Sequence, residues 1–149
     1  MSAYEQWNKL NPSEKLAIAQ YPALGTAVPV AKDKAFAETV KRFGHQGRTD
    51  NSDAFRHCYW SALLTRDVGF LAAYAFTTAH EDVPSNPPAE KEMDLHNNMQ
   101  GMVIGIRHKG SSDDQILSDA CFSALAAGKL KVPVHPRPAP ASVGAGPRH

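Results

Sequence analysis

Between residues 10 and 130, apolar residues recur at three- and four-residue intervals, and each such run is bracketed by a helix start and a helix stop. "NPSEKLAIAQYP" offers Asn11 as N-cap, Pro12 at the first helical position and Pro22 as a stop. "PVAKDKAFAETVKRFG" sets Val30, Phe36, Val40 and Phe43 near helical spacing and ends at Gly44. "SDAFRHCYWSALLTRDVG" starts at Asn51 or Ser52, carries Phe55, Cys58, Tyr59, Ala62 and Leu63 on one face, and closes at Gly69. "FLAAYAFTTAH" is short and apolar and reads as a buried helix. After the proline-broken loop "EDVPSNPPAE", a long helix runs from about Lys91 to Lys109. "SSDDQILSDACFSALAAG" opens with Ser112 and Gln115 at capping-box spacing.

No convincing pair of strands competes with this pattern. The expected fold is all-α, a single compact domain of five to six helices within residues 1–132. "KLKVPVHP" reads as a short extended arm. Residues 133–149 carry proline, glycine and alanine with almost nothing to bury, and are expected to form a disordered tail.

Composition narrows the function. A chain of 149 residues with 42% hydrophobic and 21% charged residues can bury a real core. A formal net charge of +1 gives no global footprint for nucleic acid or an anionic membrane surface. The apolar runs fall short of the roughly 20 residues that span a bilayer. "MSAYEQWNKLNPSEK" lacks the basic and apolar regions of a secretory signal. The chain is therefore expected to be made in the cytoplasm without a signal peptide. Cys58 and Cys121 have neither metal-ligand spacing nor a disulfide framework, and read as buried thiols. The G-x-S-x-G, P-loop, G-x-G-x-x-G and H-E-x-x-H patterns are absent.

Three polar clusters remain that solubility does not require. Asp53 and His57, four residues apart, share a helix face, as two metal ligands or as a carboxylate orienting an imidazole. Arg56 and Trp60 flank them, and Ser61 continues the stripe. His80 and Glu81 end the apolar helix where it opens into the proline loop, a favourable place for a site. Glu81 beside apolar surface suits a general acid or base.

The third cluster is "MDLHNN". At about 100° per residue, Asp94, Asn97, Asn98 and Gly101 fall on one face and His96 lies on the other. Asp94, Asn97 and Asn98 are then the residues aimed at a pocket, and His96 supports the structure. Gly101 allows close approach of another helix, and "GMVIG" marks tight packing.

Taken together, "DAFRHCYWSALLTRDVG", "TTAHE" and "MDLHNNMQG" resemble an uncharacterised bacterial domain family found at the C-terminal tips of Rhs-type and wall-associated polymorphic toxins. The likeness covers about residues 10 to 110. It implies a toxin or effector delivered by a specialised secretion system, with a secretion-machine component and a cognate immunity protein as partners. It brings no settled reaction.

From the residues themselves, the expectation is a small hydrolase. Its catalytic set is His57, His80, Glu81 and Asp94. Arg56, Trp60, Asn97 and Asn98 bind the substrate. Asp53, His57, His80 and Asp94 offer ligands to a divalent ion such as Zn²⁺ or Ca²⁺. An envelope component, phospholipid or peptidoglycan, is the favoured substrate. A non-enzymatic helical interaction module and a nuclease toxin are the alternatives.

Overall fold

The computed structural model describes residues 2–132, so the expected tail lies outside the described residues. Seven helices occupy them: α1 (Ala3–Asn8), α2 (Pro12–Gln20), α3 (Leu24–Phe43), α4 (Asn51–Val68), α5 (Phe70–Glu81), α6 (Pro88–Arg107) and α7 (Asp114–Ala126). No strand occurs among the described residues, so the fold is all-α.

The helix boundaries follow local chemistry, with some departures from expectation. Helix α1 was not anticipated. It starts with a capping box between Ser2 and Glu5 and is too short and polar to show a period. Helix α2 begins as expected, with Asn11 capping, Pro12 at the first position and Glu14 closing the box. The cap of α4 is Asp50 rather than Asn51 or Ser52, because the Asp50 carboxylate accepts from the Asp53 N–H at 3.0 Å. Likewise Asp113, not Ser112, caps α7, accepting from the Gln115 N–H. Helix α6 begins at Pro88, before Lys91, since proline is well suited to a first helical turn.

Helix α3 departs furthest. It begins at Leu24 and runs through Pro29, whose missing N–H falls early in the helix. Its buried stripe is Leu24, Val28, Ala31, Ala35 and Thr39, whereas Val30, Phe36 and Val40 are 45, 39 and 46% exposed. The small side chains face inward because α3 packs closely on α4, and the large ones are displaced outward.

Helix α4 is the axis of the molecule. It contacts α3, α5, α6 and α7, and its inward residues Ala54, Phe55, Cys58, Ala62, Leu63 and Leu64 have no exposed surface. Helix α6 lies closest to it. A methyl group at Gly101 would sit 2.0 Å from the Cys58 carbonyl oxygen, and one at Gly105 would sit 2.6 Å from that of Ala62. Only hydrogen at these two positions lets the backbones approach this far. Where α4 meets α7, the Cys58 and Cys121 thiols touch at 3.1 Å, both buried.

The chain after α7 returns to α6. Asn97 Nδ2 donates to the Lys131 carbonyl at 2.9 Å, and the Lys131 N–H donates to Asn97 Oδ1 at 2.8 Å. The ring of His96 donates from Nε2 to the Lys129 carbonyl at 2.9 Å.

Candidate functional site

The close packing of α4 on α6, with the C-terminal end of α5 beside them, brings residues from three helices to one place. A cleft of about 440 Å³ opens there, lined by the carboxylates of Glu14, Asp53, Glu81, Glu90 and Asp94 together with His57 and His80. Val83, Ser85 and Asn86, from the loop after α5, form part of its wall.

His57 is the hub. Its Nδ1 lies 3.1 Å from Asn98 Oδ1 and 3.4 Å from Glu81 Oε2. The orientation of Asn98 is fixed from both ends, because its Nδ2 donates to Glu81 Oε2 at 3.1 Å and its Oδ1 accepts from Ser61 Oγ at 3.2 Å. With an amide oxygen facing it, His57 Nδ1 must carry the proton and donate. Nε2 is then the lone-pair nitrogen of a neutral ring. It lies 3.4 Å from Asp53 Oδ1 and 3.4 Å from Asp94 Oδ1. A lone pair among carboxylate oxygens is repulsive unless something positive lies between them.

Asp53 is built for its place. Its N–H is held by the Asp50 cap. Its Oδ2 accepts from the Thr49 N–H at 2.7 Å, and its Oδ1 accepts from Arg56 Nη2 at 2.6 Å. Thr49 reaches it from a left-handed conformation with φ of 58°, which is strained for a β-branched residue. Asp94 is the opposite case. Among the described residues its buried Oδ1 has no hydrogen-bond partner, and leaving a buried acceptor unmet costs about 1–3 kcal/mol or more.

The electrostatics agree. Burial, then the charges of Glu81 and Asp53, push Asp94 up to about 8. Burial pulls His57 below the ordinary imidazole range despite the same two carboxylates. At neutral pH, without a counter-ion, the cluster therefore favours a neutral imidazole and a proton on Asp94. A cation placed between them would take over the role of that proton.

One ligand atom each from Asp53, His57 and Asp94 lie within 4.8 Å of one another. Bonds of about 2.1 Å in a tetrahedral zinc site imply ligand separations of about 3.4 Å, the spacing His57 Nε2 shows to both carboxylates. Ca²⁺ takes about 6–8 oxygen ligands at about 2.3–2.6 Å, which fits this set less well. The donor from His57 Nδ1 to Asn98, with Glu81 behind it, is the support that metal-bound histidines require.

His80 does not join this trio. Its Nδ1 donates to Glu14 Oε2 at 2.8 Å, and Glu14 Oε1 accepts from the Asn11 N–H at 2.8 Å. Burial raises the Glu14 pKa, but the hydrogen bonds from His80 and Asn11 outweigh it and hold the carboxyl below its usual range. His80 still lines the cleft, with its ring edge-on to Trp60 at 5.1 Å between centroids. Asn97 faces away, both ends of its amide spent on Lys131. Neither Asn97 nor Asn98, both expected to bind substrate, lines the cleft: Asn98 is buried behind His57 and Glu81. His96 holds Lys129, as a supporting residue would.

A second cavity of about 300 Å³ adjoins the first. It shares His57 and His80 with the cleft and adds Lys32, Phe36, Arg56 and Trp60. Among the described residues, Arg56 Nη1 and Trp60 Nε1 are buried donors without acceptors. Lys32 and Glu14 were not legible in the sequence as site residues. Lys32 carries no local pattern. Glu14 reads as an ordinary capping-box residue, and only its long-range bond to His80 marks it.

The frame and the cluster define a small helical domain with one imidazole buried among carboxylates at the meeting of three helices. The chain belongs to the family described as a domain of unknown function (DUF6973), which matches residues 15–129 and so contains every residue of the His57 cluster. No curated protein and no solved structure matches the chain.

Proposed function

We propose that this protein is a small metal-assisted hydrolase, with Asp53, His57 and Asp94 as the ligands of a zinc-like divalent ion. The observation that carries this reading is the convergence of three ligand atoms on a point where Asp94 Oδ1 is buried and unpartnered. Three protein ligands with one position facing an open cleft is the arrangement of catalytic rather than structural zinc sites. Bound there, the ion would lower the pKa of its water toward neutrality.

The chain's own residues supply the rest. Glu81 is buried and lines the cleft, and it is the proton acceptor. Asn98 fixes the ring of His57 and holds Glu81 in place. Arg56 and the Thr49 N–H steady Asp53. His80, kept in position by Glu14, stands at the wall shared by both cavities. A polar network that merely held the helices in register would not require three ligand atoms gathered at this spacing on the wall of an open cleft.

The resemblance to toxin-tip domains supports an effector delivered by a specialised secretion system and countered by an immunity protein, with an envelope component as substrate. The test is directed expression in a bacterium, to cytoplasm and periplasm separately, of the parent and Glu81→Gln. Killing from the periplasm that is lost in Glu81→Gln, while purified Glu81→Gln still binds zinc, is the expected result. Equal killing by both chains, or activity indifferent to a chelator, would overturn the reading.

A further inference from the structure

The two cavities that meet at His57 and His80 have opposite character. The larger is lined by five carboxylates. The smaller, among the described residues, is lined by none, and Lys32, Arg56, Trp60 and the two histidines surround it. Arg56 Nη2 is spent on Asp53, but Nη1 is buried with no acceptor. Trp60 is only 5% exposed, and its Nε1 also has no acceptor. Buried donors in native proteins are nearly always matched, and here two unmatched donors belong to side chains that line one cavity, where a ligand could bring the acceptor. These groups are supplied by three helices, Lys32 by α3, Arg56, His57 and Trp60 by α4 and His80 by α5. Cations and donors supplied by three helices suit a tetrahedral oxyanion, whereas a planar carboxylate is met by one Arg as a fork.

We infer that this cavity is the phosphate subsite of the hydrolase and that its natural occupant is the headgroup phosphate of a phospholipid. The inference rests on the hydrolase reading for its meaning, because the cavity shares His57 with the metal cluster and would hold a phosphate beside the ion. Lipid is favoured over polynucleotide on two grounds. The net charge is +1 and there is one compact cationic cavity rather than a track along a backbone. The rim carries Phe36, 39% exposed, with Arg56 over its ring at 5.6 Å, an apolar edge that suits a lipid chain.

The test uses full-length, chelator-treated protein titrated calorimetrically with inorganic phosphate at constant low ionic strength. Saturable one-to-one binding is expected. It should weaken about fivefold in Trp60→Phe, which keeps the ring and removes the donor, and similarly in Lys32→Ala, as loss of one charge-assisted or buried hydrogen bond implies. Lys32 is on the surface, so its variant folds even if Trp60→Phe does not. A monomeric short-chain phosphatidylglycerol should bind more tightly than inorganic phosphate. No binding, or binding unchanged in both variants, would overturn the subsite. Tighter binding of a short single-stranded oligonucleotide than of the lipid would overturn the lipid assignment. Because metal is absent throughout, phosphate binding without any hydrolysis by the zinc-loaded protein would sink the hydrolase alone. Hydrolysis without phosphate binding would sink the subsite alone.

Discussion

Asp94 and Asn98 occupy neighbouring turns of one helix, yet they carry opposite liabilities. Asp94 faces two carboxylates and holds a proton in the metal-free protein at neutral pH, so a neutral amide in its place costs the apo protein little. Asp94→Asn should leave thermal stability nearly unchanged and abolish zinc binding and hydrolysis, which melting curves and calorimetry will separate. Asn98 serves His57, Ser61 and Glu81 at once. Its replacement by alanine should cost roughly 1–3 kcal/mol in urea unfolding through the buried groups it strands. Glu14 offers a pH test. Its folded pKa is held below the ordinary value, so its contribution is full above the usual carboxylate range and fades as pH falls through the folded pKa. The melting-temperature gap between the parent and Glu14→Gln should be widest near neutrality and close under acid conditions. Asp53 with His57, and Asp94 with Asn98, were legible because partners three or four residues apart on a helix must share a face. The turn of Asn97 toward Lys131, and the reuse of Glu14 by His80, were not. Both are set by contacts 34 and 66 residues distant, which no local period encodes.

At the scale of the element, the site depends on how close α6 comes to α4. Alanine at Gly101 would usually help a helix by about 1 kcal/mol. Here the added methyl would meet the Cys58 carbonyl, part of a backbone that cannot yield cheaply. Gly101→Ala should therefore destabilise by about 2–3 kcal/mol, measured by urea unfolding, and should weaken zinc binding by displacing Asp94 from His57. This close packing was legible in "GMVIG". The inward face of α3 was not, because the largest apolar side chains signal burial most strongly, while here Ala31 and Ala35 hold the interface and Phe36 faces outward. The caps at Asp50 and Asp113 each moved by a residue for a simpler reason: several eligible cap residues stand in a row, and only the backbone geometry selects one.

For the molecule as a whole, the all-α architecture was the most legible level, since each helix carries its own stop and start. No helix among the described residues is long and apolar enough to cross a membrane. Under the metal reading, folding and metal binding are linked. Zinc added at about a hundredfold over its dissociation constant should stabilise the protein by about 2.7 kcal/mol. The shift should disappear in His57→Ala and in Asp94→Asn. The clasp between α6 and the returning chain gives this linkage a mechanical side. Lys131 is tied through both its N–H and its carbonyl to Asn97, and Asn97 adjoins the residue that steers His57. Tension carried along the polypeptide past Val132 would act on that same turn of α6, so anything tethered there would have a lever on the geometry of the site.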